Sequence, residues 1–251
     1  FFSYVLQKVY VEQNQYPKFV KLLKHLKINP VEETLFTSDS QNAKEIIKYL
    51  NNLEGIEGFM GKKVHETFEK LFIDLQHTKK NSLSELIDYY EKIWKESWKD
   101  EIAINKEGLT KEHYFELGKK CITNFYEKNA PFDKLKPIGI EQKITLDLNG
   151  DGNYKLTGYI DLLVQAGKNH LQIHDYKTFS RLPEQAKIEK DEQLAIYQMW
   201  VQHEFPEAKK VDLIWHYVVF QREGISHRTQ KQLEQTKKRL IALINRIESS
   251  E

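Results

Sequence analysis

Two aspartates and a lysine in the second half of the chain have the types and spacing to bind a metal ion and act on a phosphate. Asp161 lies in an alternating segment, and Asp175 lies in the next one, beyond a short turn through Gly167. If both segments are strands, antiparallel pairing can bring the two carboxylates together. A cation relieves their repulsion, and Mg²⁺ prefers such oxygen ligands. Lys177 follows Asp175 by two positions and therefore projects from the same strand face.

These three side chains suit the hydrolysis of a phosphodiester bond. A bound metal polarises the phosphate and lowers the pKa of its water, while a neighbouring lysine can orient that water or offset charge in the transition state. The pattern is short, so the three residues alone are better explained by a surface β-hairpin that carries ordinary aspartates and a lysine. The surrounding elements must therefore decide between the two interpretations.

The hydrophobic period changes from that of helices to that of strands near residue 130. Before it, apolar residues recur at three- and four-residue spacing, in stripes such as Val64, Phe68, Leu71 and Leu75, or Leu83, Leu86, Ile87, Tyr90 and Trp94. Residues 138–148, 154–164 and 171–176 alternate as strands, with turns at 149–153 and 165–169. A helix over 189–204, an apolar strand over 211–220 and an amphipathic helix over 231–248 are predicted next.

This order, reduced to helix, three strands, helix and strand, predicts an α/β (α+β) fold with a mixed central sheet and a large helical insertion. No repeat or interdomain linker is visible, so we expect a single domain over residues 1–251. Within it we expect a helical N-terminal part over 1–130, a catalytic core over 58–76 and 138–220, and the C-terminal helix. The chain begins inside an aromatic run without an initiator methionine, which suggests a fragment of a longer polypeptide.

The segment from Gly158 to Tyr197 resembles the RecB-type, AddB-like exonuclease branch of the PD-(D/E)xK nuclease superfamily. That branch has a strand ending in G-x-[IV]-D, then [IV]-x-D-[YF]-K-T, then Q-L-x-x-Y on a helix. The residues that match, in order, are Gly158, Asp161, Asp175, Tyr176, Lys177, Thr178, Gln193, Leu194 and Tyr197. The resemblance implies a restriction-endonuclease-like core. Gln193 and Tyr197 are four positions apart, so they share a helix face that can look back on the metal site, and the resemblance implies that they are catalytic residues together with Asp161, Asp175 and Lys177.

The resemblance also implies a divalent ion, Mg²⁺ or Mn²⁺, and further ligands for it besides the two aspartates. An earlier helix of the branch carries a G-x-x-x-H motif, which Gly61 and His65 match, so His65 is expected to complete the metal shell. The backbone carbonyl of Tyr176 stands where the family uses a carbonyl ligand. Glu141, which opens the first strand, is either an additional acidic group near the metal or an ordinary strand-surface glutamate.

Two other patterns are set aside. The turn after the first strand fits the first half of an EF-hand loop through Asp147, Asn149, Asp151 and Gly152. The position that requires a bidentate glutamate is Gly158, so a polar hairpin turn is expected instead. His174 alternates with Asp175 along the strand and should point to the opposite sheet face.

The amino-acid composition limits which other classes of protein this chain can belong to. The single cysteine, Cys121, excludes an internal disulfide framework and an iron–sulfur cluster held by this chain alone, and its helical context predicts a buried core residue. Lysine plus arginine number 38 against 37 acidic residues, so net charge does not indicate a nucleic-acid partner. The lysine-rich residues 1–30 suit either a phosphate-facing surface or a solvated helix face.

No apolar segment long enough to span a membrane and no signal peptide is visible, so we expect a cytoplasmic (intracellular) protein without a membrane partner.

These observations lead to one principal hypothesis and two alternatives. We expect a metal-dependent deoxyribonuclease, an exonuclease that acts on DNA in recombination and repair, with a helicase subunit or domain as a partner. The first alternative is a catalytically inactive nuclease-like module that only binds DNA within a helicase–nuclease complex, although the presence of Asp161, Asp175 and Lys177 argues against it. The second is a hydrolase directed at RNA, because the triad contacts phosphate rather than sugar.

Overall fold

The computed structural model of the chain describes residues 54–104, 106–189 and 191–249. They belong to two compact units. Of the described residues, the first unit contains 54–60 and 97–115, whereas the second contains Gly61–Glu96 and the chain from Glu116 onward. The lysine-rich residues 1–30 lie outside the described residues, and both interpretations of their charge remain predictions. No helix in the described ranges is long and apolar enough to cross a membrane.

The elements follow the order that the hydrophobic periods predict, with a short helix and a short last strand in addition. The first part contains helices α1 (Ile56–Gln76), α2 (Leu83–Ser97) and α3 (Lys111–Asn129), followed by strands β1 (Pro137–Asp147), β2 (Lys155–Gly167) and β3 (His170–Lys177). The second part contains α4 (Gln185–Ile188), α5 (Glu192–Glu204), β4 (Lys210–Tyr217), a 3-10 turn (Val218–Phe220), β5 (Arg222–Ser226) and α6 (Gln230–Glu248).

The strands form a five-stranded mixed sheet in the order β1-β2-β3-β4-β5. Strands β1, β2 and β3 pair antiparallel, β3 and β4 pair parallel, and β4 and β5 pair antiparallel. A parallel pair needs a crossover connection, and α4 and α5 lie within that connection. The helices and the mixed sheet confirm the predicted fold class.

Helix α1 packs an apolar stripe inward and so determines which of its residues can reach a cleft. Val64, Phe68 and Phe72 are buried, and the ring of Phe68 lies 4.6 Å from that of Tyr176 on β3. His65, next to Val64, is only partly buried. These apolar contacts hold α1 beside β3, and the ring of His65 remains accessible to solvent.

Helix α5 is positioned by its own cap and by a buried arginine. The side chain of Asp191 accepts a hydrogen bond from the backbone N–H of Leu194 (2.9 Å), which satisfies a free donor of the first turn. The buried Arg228 donates to the carbonyls of Ile188 (2.7 Å) and Asp191 (3.2 Å). The junction between α4 and α5 is therefore held to the segment that follows β5.

Candidate metal centre

Three acidic residues lie side by side on three neighbouring strands. Glu141 belongs to β1, Asp161 to β2 and Asp175 to β3. Their alignment follows from the pairs that flank them, which are Ile140 with Leu162, Gln142 with Ile160, and Leu162 with His174. Glu141 consequently lies across from Asp161, and Asp161 lies across from Asp175.

Glu141 has a backbone conformation that non-glycine residues rarely adopt, with φ of 44°. The alternation of β1 is interrupted at the same point, because residues 140–142 are all partly exposed. Left-handed backbone at such a residue costs about 1–3 kcal/mol and persists only where its surroundings hold it. Such outliers cluster at functional sites, so the strain favours a functional role for this glutamate.

His65 brings α1 into contact with these strands. Its Nδ1 lies 3.4 Å from Oδ2 of Asp161, and its Nε2 lies 2.9 Å from the backbone carbonyl oxygen of Tyr176. The backbone N–H of Tyr176 in turn donates to Oδ2 of Asp161 (2.8 Å). Histidines that bind metals commonly have their second ring nitrogen fixed by such a carbonyl.

Among the described residues, His65, Glu141 and Asp161 can each place one ligand atom within 4.8 Å of the others. One imidazole nitrogen with carboxylate oxygens is a donor set that suits Mn²⁺ and is compatible with Mg²⁺. A cleft of about 540 Å³ opens beside the group, lined by Gly61, Lys62, His65, Glu66, Glu69 and Glu141. The residues present therefore fit a divalent ion.

The pKa values of the group reflect its crowded negative charge. Burial lowers the pKa of His65, but the hydrogen bond and charge of Asp161 outweigh this effect and raise that pKa from 6.5 to about 9. Burial and the charge of Asp161 raise the pKa of Glu141 to about 7. The same two causes raise the pKa of Asp175, against the opposing charge of Lys177. His65 and, in part, Glu141 therefore hold protons at neutral pH, which a bound cation would displace.

A second chain of contacts connects β3 to α5. Nζ of Lys177 lies 2.6 Å from Oδ2 of Asp175 and 3.4 Å from Oε1 of Gln193. Nε2 of Gln193 donates to the hydroxyl oxygen of Tyr197 at 2.7 Å. The four side chains that the motif predicts to be neighbours are thus joined from Asp175 to Tyr197.

Two glycines of the motif allow close packing at the site. A Cβ at Gly158 would lie 3.3 Å from a ring carbon of Tyr197, and a Cβ at Gly61 would lie 3.0 Å from Oγ1 of Thr178. Both distances are tight for a Cβ contact. Glycine on β2 therefore lets Tyr197 approach the strand, and glycine on α1 lets Thr178 approach the helix that carries His65.

The structure groups the predicted residues somewhat differently from the sequence. Glu141, for which two roles were open, is part of the three-residue group, whereas Asp175 is not and instead pairs with Lys177. The carbonyl of Tyr176 adjoins the group through His65, and its role as a ligand remains a prediction. His174 lies against His216, with Nδ1 2.7 Å from Nε2, and takes no part in the group.

The turn between β1 and β2 has the polar hairpin structure expected of it. The side chain of Asp147 accepts hydrogen bonds from the backbone N–H groups of Asn149, Gly150 and Gly152. A carboxylate occupied in this way closes the turn, and the described residues do not include it in a metal-binding group.

Three residues of the cleft were not singled out from the sequence. Lys62, Glu66 and Glu69 line it together with His65. They recur at three- and four-residue spacing along α1, so they share the helix face of His65. Their helical spacing is visible in the sequence, but the G-x-x-x-H motif specifies only Gly61 and His65.

Comparison with known proteins identifies the family. The sequence model of the PD-(D/E)XK nuclease superfamily matches residues 48–251, so the chain belongs to this superfamily. Nucleases of this superfamily use divalent metals, which supports a metal-dependent phosphodiester hydrolase and agrees with the group formed by His65, Glu141 and Asp161. A search of curated proteins finds no match to the chain.

Proposed function

We propose that this protein is a Mg²⁺- or Mn²⁺-dependent deoxyribonuclease of the RecB-type branch, an exonuclease that works in recombination and repair together with a helicase subunit or domain. The observation that carries the proposal is the meeting of His65, Glu141 and Asp161 within 4.8 Å of one another, next to the ion pair of Asp175 and Lys177. The exonuclease form and the helicase partner rest on the sequence resemblance.

Each side chain has a role in this proposal. His65, Asp161, Asp175 and the carbonyl of Tyr176 would hold the ion, with Glu141 as a further ligand. A bound ion would polarise the phosphate and lower the pKa of a water molecule. The ammonium group of Lys177, held beside Asp175, orients that water or offsets the charge of the transition state.

Gln193 and Tyr197 position the lysine. Gln193 accepts from Lys177 and donates to Tyr197, so its amide orientation is fixed from both sides. The pKa of Tyr197 is raised by burial to about 12, so its hydroxyl stays protonated and neutral. These two side chains belong to the catalytic group without contacting the ion.

The test is cleavage of end-labelled single-stranded and duplex DNA, circular DNA and RNA, each with Mg²⁺, Mn²⁺ or EDTA. We expect short products from linear DNA only, in either metal. Asp161→Ala should abolish cleavage, and Lys177→Ala should lower its rate by about 10²–10³ with little change in DNA binding. A wild-type protein that binds DNA ends but releases no nucleotide in either metal would instead be the inactive binding module.

A further inference from the structure

The loop that leaves β3 places an exposed aromatic ring beside the candidate site. Phe179 follows Lys177 by two positions and is 55 % exposed. The centre of its ring lies 6.0 Å from Nζ of Lys177, the same atom that pairs with Asp175. Single exposed apolar residues are common on protein surfaces, but this ring stands next to a lysine of the proposed catalytic group.

The same loop carries further exposed side chains, one apolar and one cationic. Leu182, three positions after Phe179, is a second exposed apolar residue of the loop (40 %). Arg181 is exposed and forms no ion pair with the residues that the structure describes. Thr178 begins the loop against Gly61, where an added Cβ would lie 3.0 Å from its Oγ1. The loop thus starts at a tightly packed point of the site and then presents an aromatic, an aliphatic and a cationic side chain to solvent.

We propose that Phe179 stacks on an unpaired nucleobase of a single-stranded substrate, beside the nucleotide whose phosphate is cleaved. The inference rests on the proposed nuclease function. An aromatic face accepts any base, whereas a base within a duplex already stacks on its neighbours and has no free face to offer. Arg181 supplies a cation for the backbone phosphates of the same strand. The loop therefore gives the site a preference for single strands over duplexes.

The test measures binding of fluorescein-labelled oligothymidylate and of a blunt duplex by fluorescence anisotropy, in EDTA so that no cleavage occurs. Phe179→Ala should weaken single-strand binding by about 5- to 150-fold, the range for loss of one stacked base, and duplex binding by less than about twofold. Phe179→Trp should restore the affinity. Ile225→Ala removes an apolar side chain of the same 55 % exposure on β5 and should bind both ligands as the wild type does.

A second set of oligonucleotides identifies which nucleobase stacks on Phe179. In these oligothymidylates a single nucleotide lacks its base, at successive positions along the strand. At one position, loss of the base should lower the affinity of the wild type about tenfold. The same loss should not lower the affinity of Phe179→Ala any further, because that variant already lacks the ring on which the base would stack.

Equal affinities of wild type and Phe179→Ala, or the same abasic loss in both, would overturn the stacking role, as would a wild type that does not bind single strands. A wild type that shows the full stacking pattern but cleaves no DNA in Mg²⁺ or Mn²⁺ would remove the proposed nuclease function and leave the nucleobase site in place.

Discussion

Binding of a metal ion to this protein should release protons, and pH is the perturbation that tests it. Ligands must be deprotonated to bind a metal. The folded-state pKa values of His65 (about 9) and Glu141 (about 7) are both raised, so each group keeps its proton until the pH rises through that value. At pH 7, His65 carries about one proton and Glu141 about half a proton, so binding should release about 1.5 protons. The affinity should then increase by about 30-fold per pH unit near neutrality.

Two measurements check this expectation. Electron paramagnetic resonance of free Mn²⁺ gives the affinity across neutral pH, and calorimetry in buffers of different ionisation enthalpy counts the released protons. His65→Gln should reduce the release to between about 0.5 and one proton at pH 7, because loss of the imidazolium charge raises the pKa of Glu141 further, and Glu141→Gln should reduce it to about one proton. Glu234→Gln, on the exposed face of α6, is the matched control and should behave as the wild type. A wild-type release near zero, or an undiminished release in His65→Gln, refutes the reasoning.

Three further outcomes are expected. Gln193→Ala should slow DNA cleavage but leave the Mn²⁺ affinity unchanged in the same resonance assay, because the amide contacts Lys177 and not the three-residue group; an equal loss of metal binding would show that its role is misassigned. Arg228→Met should lower the free energy of unfolding by about 3 kcal/mol in urea titrations, because the buried guanidinium serves two backbone carbonyls, whereas a change below about 1 kcal/mol would contradict this account. Burial raises the pKa of Cys121 to about 12, so a chromogenic disulfide reagent should label it at neutral pH only after denaturation; rapid labelling of the native protein would show that the thiol is accessible.

Strands β2 and β3 could be predicted because the alternation of apolar and polar residues that indicates a strand is visible within each segment. The alternation over residues 154–164 lies within β2 except for its first residue, and that over 171–176 falls within β3. Strand β5 was missed because its five residues contain one large apolar side chain, Ile225, and depend on pairing with β4. The helix expected from residue 189 begins at Glu192 instead, since Asp191 caps it.

The site was predictable in part for the same reason. Asp161 and Asp175 could be assigned to neighbouring strands from one short turn, and Lys177 from the alternation of β3. The place of Glu141 could not, because it depends on the register between β1 and β2 and on a left-handed backbone that nothing in the local sequence requires. An isolated glutamate at the start of a strand carries no sign of either.

The three-residue group also connects metal binding to the folding of the chain. Its members come from α1, β1 and β2, and helices α2 and α3 intervene in the sequence between the first member and the other two. The ligand set therefore does not exist in the unfolded chain and assembles only when distant segments dock, which is a slow kind of event in folding. An ion that binds only the native state adds to its stability by mass action, by about 2.7 kcal/mol when its free concentration is about a hundred times Kd. For this protein the melting temperature in the presence of Mn²⁺ would act as a gauge of occupancy, independent of any substrate.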